Sequence, residues 1–327
     1  MKRILGTGNA LVDVLVQVSD EYVLQEMGLP KGAMTLLSKE AFEQTRTRLS
    51  AMHTTLATGG SACNTMLALG KLGAQPGLIG SIGNDTYGDF FSQNCRQHGI
   101  IPHLLRQICP TGVASTFITP DGERTFGTFL GAASKLAPEA VCADWFTGYD
   151  YLYLEGYLIP NRPLMEHLLT LAHQHKMTIC LDLASFNLVE AERDYLERLL
   201  SDHVDIVFAN KEEALAFCGS DTLRTALEEL AARCDIAVVK TGEDGAMARM
   251  GDTVVHQPAH PVRAVTDTTG AGDYFAAGFL WGHACGNSIA ECLRKGTMLA
   301  AHVIEEVGTT LPAGTWKIIQ EQLKPTS

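Results

Sequence analysis

Positive charge is scarce in this chain of 327 residues. Lysine and arginine number 25 against 37 aspartates and glutamates, which leaves a formal net charge of −12 at pH 7. This acidic balance argues against nucleic acid and against an anionic membrane as partners. A polyanionic ligand would have to be attracted locally, by helix N-termini, a few lysine or arginine side chains and a divalent cation.

Paired cysteine motifs and long apolar runs are also missing. The nine cysteines are odd in number and form no C-x-x-C pair, so we expect buried, reduced thiols. No stretch has the length of a transmembrane span, and residues 1–6 enter a strand-like run without the long uncharged region of a signal peptide. The sequence therefore predicts a cytoplasmic protein, and its 46% hydrophobic content suffices for a sizeable core.

Short apolar runs alternate with amphipathic stretches, without an internal repeat or a low-complexity linker. This alternation predicts an α/β fold, a doubly wound and mostly parallel sheet with helices on both faces. Core strands are predicted at 4–8, 75–82, 151–154, 178–182, 206–209 and 236–240. Helices are predicted at 62–72, 87–98, 163–175, 193–201, 212–218, 223–233, 272–285 and 288–306.

Two regions break this rhythm and predict a small β-sheet lid. Strand-like segments at 111–119 and 123–130 flank Pro120-Asp121-Gly122, and Asp-Gly between such arms favours a tight hairpin. Two more strand-like segments, 11–18 and 33–37, bracket a short helix at 21–27. The predicted lid comprises 13–37 and 111–130, and the predicted α/β core, which binds nucleotide and substrate, comprises 1–12, 38–110 and 131–327. Such a lid could exclude water from the reacting groups.

The run from Asp267 to Asp273, Asp-Thr-Thr-Gly-Ala-Gly-Asp, carries the strongest functional signal. Its two glycines let backbone N–H groups turn toward one point, and the helix that begins there adds its positive dipole end. An anion site is therefore predicted, with the carboxylate of Asp273 beside it in the first helical turn. Although such an aspartate often only caps a helix, a base next to an anion site is the minimal equipment of a kinase.

Substrate-binding residues are predicted near the lid. Asn9 and Asp13 lie four apart in an extended segment and so share one face. A carboxylate there is costly unless it is partnered, and a vicinal diol offers it two O–H donors, as in a sugar or ribose. Gly59 and Gly60 open the next predicted helix, with Asn64 in its first turn, although Gly-Gly-Ser alone equally fits a simple N-cap.

Nucleotide-binding residues are predicted after two later strands. Asn210 and Glu213 follow the strand at 206–209, at an edge where open α/β sheets bind ligands. Glu213 could hold a hydrated Mg²⁺ and Asn210 could orient phosphate or water, although an ordinary capped helix start fits nearly as well. The segment at 240–245 could line a triphosphate through the Thr241 hydroxyl and glycine amides, or could form an ordinary hairpin turn.

Together these motifs resemble one family over nearly the whole chain, the ribokinase-like, or PfkB, carbohydrate and nucleoside kinases. The matching motifs, in family order, are Gly59-Gly60 with Asn64, residues 80–85 with Gly88, Asn210 with Glu213, Lys240-Thr241-Gly242 and the run from Asp267 to Asp273. Within the family, three segments look most like adenosine kinases and their bacterial relatives. They are residues 8–13, 119–125 and 153–157.

The resemblance implies a kinase that uses ATP and Mg²⁺. Asp273 would be the general base that takes a proton from a primary hydroxyl, such as the 5′-OH of a nucleoside, as it attacks the γ-phosphoryl group. The remaining implied roles are an anion hole from the amides of Gly270, Ala271, Gly272 and Asp273, substrate binding by Asn9, Asp13, Gly59, Gly60 and Asn64, and ATP and Mg²⁺ binding by Asn210, Glu213, Lys240, Thr241, Gly242 and Gly245.

A monovalent cation, K⁺, is a further implied ligand. Asp267 and Thr269 match the start of the family's cation site, and the loop at 304–308 would contribute backbone ligands. Adenosine kinases, however, often carry asparagine where Thr269 stands here.

The identity of the substrate stays open. A nucleobase needs an apolar slot, for which the candidates, each of which also fits a plain core position, are Leu36, Phe117, Leu130, Tyr157 and Phe186. A sugar kinase acting on ribose, fructose or a related acid is the first alternative to a nucleoside kinase. A catalytically silent metabolite-binding protein is the second. Both a monomer and a lid-mediated homodimer are compatible with the sequence.

Overall fold

Consecutive residues of the central strands belong alternately to two apolar cores. Ile4 lies in one buried cluster and Leu5 in the other, and Tyr151 and Leu152 divide in the same way. Because successive side chains of a strand point to opposite faces, a sheet of such strands must be covered by helices on both sides. The computed structural model, which describes residues 1–323, has this architecture.

The strands are β1 (Ile4–Thr7), β2 (Leu11–Gln17), β3 (Met34–Leu36), β4 (Thr54–Gly59), β5 (Gly77–Gly83), β6 (Ile101–Gln107), β7 (Gly112–Ile118), β8 (Arg124–Phe129), β9 (Tyr151–Glu155), β10 (Thr178–Asp182), β11 (Ile206–Asn210), β12 (Ile236–Lys240), β13 (Ala246–Met250) and β14 (Thr253–Gln257). The helices are α1 (Tyr22–Glu26), α2 (Lys39–Leu49), α3 (Ser61–Lys71), α4 (Thr86–Gln97), α5 (Arg162–Gln174), α6 (Phe186–Ala191), α7 (Arg193–His203), α8 (Lys211–Cys218), α9 (Leu223–Ala231), α10 (Ala271–Ala284), α11 (Ile289–Ile304) and α12 (Ala313–Gln322).

The larger sheet confirms the predicted mostly parallel α/β core. Within the described residues it has nine strands in the order β14-β13-β12-β11-β10-β9-β1-β5-β6, and only β13 and β14 run antiparallel to their neighbours. The strand order reverses between β1 and β9, which pair in parallel although they are far apart in the chain. Ligands of open α/β sheets bind outside the carboxyl ends of the strands at such a reversal.

The smaller sheet confirms the predicted lid but extends it. Its order is β3-β8-β7-β2-β4, and β7 and β8 form the predicted hairpin. The predicted boundaries placed residues 38–110 in the core, yet β4 pairs antiparallel with β2. The prediction missed β4 because Thr55 and Leu56, in the middle of this short strand, are both exposed and leave no clear period-two pattern.

Helix α2 covers one face of this lid sheet. Phe42 is buried and stacks on Phe129 of β8, with ring centroids 4.3 Å apart. Val12, Val14 and Val16 of β2 belong to the same buried cluster as Phe42. The alternate residues of β2, including Asp13, therefore face the other side of the sheet.

The cysteines agree only in part with the sequence-based expectation. All nine are free thiols, and Cys63, Cys95, Cys180 and Cys292 are buried. Cys142 and Cys285 are exposed instead. Among the helices of residues 1–323, none is both long enough and apolar enough to cross a bilayer.

Candidate active site

Asp273 lies in the first turn of α10, where the N-terminus of α3 meets it. The Ser61 hydroxyl donates a hydrogen bond to its Oδ1 at 2.6 Å, and the Asn64 side-chain amide donates to its Oδ2 at 2.9 Å. Burial raises the pKa of Asp273 to about 6, although these two hydrogen bonds act to lower it. The carboxylate is therefore ionised at neutral pH and more basic than an exposed aspartate.

Gly270 makes the turn that starts α10. Its φ of +78° lies in the left-handed region, and a β-carbon there would stand 2.6 Å from Cγ2 of Thr309. Only glycine meets both conditions without strain. The sequence pattern at this turn is thus explained by backbone geometry as well as by chemistry.

The backbone amides at this turn are mostly free donors. The Ala271 N–H donates to the Thr268 carbonyl at 3.2 Å. The N–H groups of Gly270, Gly272 and Asp273 have no acceptor within the described part of the chain. Three of the four amides of the predicted anion hole can therefore receive a ligand, with the helix dipole behind them.

Asp13 projects from the lid sheet into a cavity of about 160 Å³. Leu15, Leu56 and Phe126 give this cavity apolar walls. Within residues 1–323 no hydrogen bond reaches the Asp13 carboxylate. Burial raises its pKa to about 7; the Arg124 guanidinium opposes this shift and Asp273 adds to it.

Gly59 allows the backbone of β4 to approach this carboxylate. A β-carbon at Gly59 would lie 2.1 Å from Oδ1 of Asp13. At Gly60, where φ is +94°, it would lie 2.0 Å from the Asn9 carbonyl oxygen. The Gly-Gly pair is therefore required to bring β2, β4 and α3 together at the site, beyond any role as a cap.

Glu155, at the carboxyl end of β9, is a site residue to which the sequence interpretation gave no role. Its Oε1 accepts from the side-chain amide of Asn9 at 2.9 Å, and its Oε2 accepts from the backbone N–H of Ala62 at 3.0 Å. It is 1% exposed, and burial raises its pKa to about 7. Glu155 thus joins the segment that follows β1 to β9 and α3 at the strand reversal. The sequence signal that could have identified Glu155 is a charged residue at the end of a buried strand.

Lys240 points toward the anion hole from the end of β12. Its ammonium donates to Oδ2 of Asp182 at 2.9 Å, and it stands 3.1 Å from where a β-carbon of Gly272 would be. Burial alone would lower the pKa of Lys240, but the carboxylates of Asp182 and Glu213 outweigh it and raise the pKa. Asp182 was missed from the sequence, and its place at the end of β10 was the available signal.

Asn210 and Glu213 form a complete capping box at the start of α8. Glu213 accepts from the backbone N–H of Asn210 at 2.7 Å and from its side-chain amide at 2.8 Å, and its own N–H donates to the Asn210 side chain. Burial and the Asp182 carboxylate raise the pKa of Glu213 to about 7. The pair thus forms the ordinary capped helix start that one of the two sequence interpretations expected, and its role in binding Mg²⁺ stays a prediction.

A larger cleft of about 600 Å³ opens from Lys240 and Gly272. Gly242 and Gly245 line it near the phosphate-binding motifs. Its other walls are mostly apolar and include Val262, Val265, Phe275, Ala300 and Ile304. Beside it, the Thr241 hydroxyl is buried without a hydrogen-bond partner among the described residues.

The candidate slot residues end up in different environments. Phe117 is fully buried in the core, which is the alternative that was left open for it. Leu130 starts a short 3₁₀ turn and is not among the residues that line the Asp13 cavity. Tyr157 is 45% exposed, and Leu36 and Phe186 are exposed as well, so these three remain accessible to a ligand.

Asp267 is buried and its carboxylate is fully engaged. Oδ1 accepts from the N–H of Thr269 at 3.0 Å, and Oδ2 accepts from the N–H of Gly308 at 2.6 Å. Arg124 of the lid hairpin forms an ion pair with the same Oδ2 at 2.9 Å. The sequence interpretation had placed Arg124 in a resembling segment but had given it no role.

The chain is similar in sequence to known proteins. The profile of the family described as "pfkB family carbohydrate kinase" matches residues 35–316. Fructoselysine 6-kinase of Escherichia coli (strain K12) is 30% identical over 254 residues, which cover 77% of this chain and 91% of that protein.

Two solved structures superpose on nearly the whole chain. Adenosine kinase from Sinorhizobium meliloti has a TM-score of 0.88 and 34% identity, and the match covers 98% of this chain and 99% of that one. A "probable sugar kinase protein" from Rhizobium etli CFN 42 also has a TM-score of 0.88 and 34% identity, with 98% of each chain covered.

Proposed function

The chain belongs to the pfkB family of carbohydrate kinases, phosphotransferases that use ATP, and we propose that it phosphorylates the primary 5′-hydroxyl of an adenosine-like nucleoside. One observation carries this proposal. The Asp13 carboxylate, which has no hydrogen-bond partner among residues 1–323, stands in an apolar-walled cavity close enough to Asp273 for the two charges to interact.

The cavity suits a ribose that carries a base. The two oxygens of Asp13 can accept the two hydroxyls of a vicinal diol, and the Asn64 side-chain oxygen is buried without a partner in the described chain. Leu15, Leu56 and Phe126 would pack against the face of an aromatic ring such as a purine. The likeness to an adenosine kinase at 34% identity supports this choice of substrate class.

Asp273 would act as the general base. Its Oδ1 now accepts the Ser61 hydroxyl at 2.6 Å, and a substrate hydroxyl would take or share that position. The proton passes to Asp273 as the hydroxyl oxygen attacks phosphorus. The free amides of Gly270 and Gly272 would hold the charge that develops on the phosphoryl oxygens.

ATP would lie in the larger cleft, with its base between apolar walls and its phosphates toward Gly272. The Lys240 ammonium, the Thr241 hydroxyl and the amides of Gly242 and Gly245 would meet the phosphates.

Mg²⁺ fits this site only through water and phosphate. Within residues 1–323 no three acidic, histidine or cysteine side chains are placed to hold a metal directly. Asp182 and Glu213 nevertheless lie close together, and Mg²⁺ commonly keeps several waters and binds through one or two carboxylates and the substrate phosphates. When bound, the ion neutralises phosphate charge.

A sugar kinase is the second candidate function. The likenesses to fructoselysine 6-kinase and to the Rhizobium etli protein favour it. Asp13 would bind the diol of a free sugar as readily as that of the ribose in a nucleoside. The two candidate functions therefore differ in whether the substrate carries a base that packs against the apolar walls of the cavity.

A substrate panel separates the two candidates. ADP release is measured with ATP and Mg²⁺ for adenosine, inosine, guanosine, ribose, fructose and fructoselysine. We expect kcat/KM for a purine nucleoside to exceed that for every free sugar by at least about a hundredfold, because only the nucleoside has a base that packs against the apolar walls of the Asp13 cavity. Asp89→Asn, on the exposed face of α4, is the matched control and should leave the order unchanged.

Turnover of a free sugar with none of a nucleoside would replace the first function by the second. No turnover of any alcohol in the panel would overturn both substrate assignments.

A further inference from the structure

The ion pair of Arg124 with Asp267 joins the lid to the loop that precedes the anion hole. Arg124 is the first residue of β8, in the predicted hairpin, and Asp267 begins the glycine-rich run. Both side chains are nearly enclosed, with 11% and 5% of their surface exposed. A buried carboxylate in this position needs a positive partner, and the lid supplies it.

Two of the groups expected to bind a monovalent cation, the Asp267 carboxylate and the Ile304 carbonyl, already have hydrogen-bond partners. Both oxygens of Asp267 accept backbone N–H groups, from Thr269 and from Gly308, in addition to the guanidinium. The Ile304 carbonyl, in the loop expected to add backbone ligands, accepts the N–H groups of Thr266 at 2.8 Å and Asp267 at 3.2 Å. With the guanidinium bound as well, the Asp267 carboxylate therefore has no open position for a cation.

Charge leads to the same conclusion. Asp267 and Arg124 neutralise each other, and a K⁺ ion at this carboxylate would stand next to a guanidinium in a poorly hydrated place. Two positive charges bound to the same carboxylate repel each other strongly where water is excluded. The cation could enter only if Arg124 left.

We infer that the Arg124 guanidinium takes the place of the monovalent cation at Asp267, so that this chain neutralises its anion-hole loop with a residue of its own lid. The loop thus receives its positive charge only while β8 lies against the core. Binding and turnover consequently need no added K⁺. The inference concerns the same site as the proposed function, but it does not depend on which alcohol is phosphorylated.

Thermal unfolding without substrate tests this inference. The protein is melted in KCl and in tetramethylammonium chloride at equal concentration, with Arg124→Gln, Arg124→Lys and Arg48→Gln beside the wild type. Arg48 forms an exposed ion pair with Glu26 in the lid and is the matched control. The wild type, the control and Arg124→Lys should melt within about 1 °C in the two salts, whereas K⁺ should raise the melting temperature of Arg124→Gln by at least about 3 °C.

Two outcomes would overturn the inference. One is a K⁺-specific rise in the wild type, because the cation would then bind despite Arg124. The other is an Arg124→Gln protein whose melting temperature is the same in both salts, because removal of the guanidinium should open the carboxylate to K⁺. If Arg124→Gln does not fold, Arg124→Met, which keeps an unbranched apolar stem, carries the same test.

Discussion

At the scale of single residues, the site is defined by carboxylates held away from water. Asp13, Glu155 and Glu213 have pKa values raised to about 7, and Asp273 to about 6, in each case chiefly by burial. Lys240 and Arg124 offset part of this negative charge. An acidic protein that binds ATP thus gathers its local positive charge where the phosphates and the substrate meet.

The acid side of the pH profile should report two of these carboxylates. Asp13 and Asp273 must both be ionised, one to accept a diol and one to accept a proton, so activity falls as pH drops through their pKa values of about 7 and about 6. We expect log kcat/KM to fall below neutrality with a slope that approaches two protons. In Asp13→Asn the slope should approach one. A wild-type profile that stays flat to about pH 5 would contradict both assignments.

Asp13 should also lower the stability of the empty protein at alkaline pH. The pKa of this carboxyl rises from 3.8 in the unfolded chain to about 7 in the folded protein. Its contribution to stability is therefore fully present below pH 3.8 and is lost as the pH rises through about 7. Asp13→Asn should therefore raise the free energy of unfolding at about pH 8 by on the order of 2 kcal/mol, and by much less at about pH 4.

The same substitution should raise KM for the alcohol by about a hundredfold, because charge-assisted hydrogen bonds to the diol are lost. Denaturant unfolding at the two pH values and steady-state kinetics measure both effects. Equal stability of the two proteins at alkaline pH, or an unchanged KM, would exclude this role for Asp13.

Residues within one local motif could be predicted from the sequence, and residues joined only in space could not. Asp273 stands out because a glycine turn and an apolar helix flank it. Glu155, Asp182 and Arg124 act through neighbours 58 to 146 positions away, as the contacts of Asp182 with Lys240 and of Glu155 with Asn9 show. No local pattern records such pairings.

At the scale of elements, the N-termini of α3 and α10 converge and the lid sheet covers them. The glycine-containing turns and the apolar stretches that follow them made both helices predictable within a residue or two. Strand β4 was not predictable, because its place is decided by pairing with β2 and by the absence of a side chain at Gly59. The edge strands β6 and β14 were missed for a related reason, since several of their residues are exposed and weaken the apolar pattern. Strand β13, between β14 and β12, was missed as well.

Helix α2 should hold the lid sheet in shape. Phe42→Ala removes a 2%-exposed ring that stacks on Phe129, and we expect a cost of about 3 to 5 kcal/mol, concentrated in the lid. Hydrogen exchange should quicken in β7 and β8 and stay slow in β9 to β12. KM for the alcohol should rise while ATP affinity is kept, because the larger cleft lies in the core.

Tyr22→Ala, at an exposed aromatic of α1, is the control and should change neither hydrogen exchange in β7 and β8 nor KM for the alcohol. Uniform acceleration of exchange in both sheets of Phe42→Ala would mean that the lid does not unfold as a separate unit.

At the scale of the whole molecule, the two faces of the lid sheet differ. Helix α2 covers one face, and the other lines the Asp13 cavity. A dimer in which lid sheets pack on this second face would close the Asp13 cavity to substrate, so we expect a monomer in solution. Light scattering after size-exclusion chromatography should give the mass of one chain. A stable dimer that Leu36→Ser dissociates would instead assign pairing to the exposed β3 edge.

The proposed function depends on Asp273 as the base of an ATP-dependent phosphoryl transfer. Its most direct test is single-turnover phosphorylation by the wild type and by Asp273→Asn, with ATP affinity measured on the same preparations. We predict a loss of roughly a thousandfold or more in rate and an ATP dissociation constant within about threefold of the wild type, because the amide cannot take the proton but leaves the cleft intact. A variant that keeps a tenth or more of the wild-type rate would show that Asp273 is not the base.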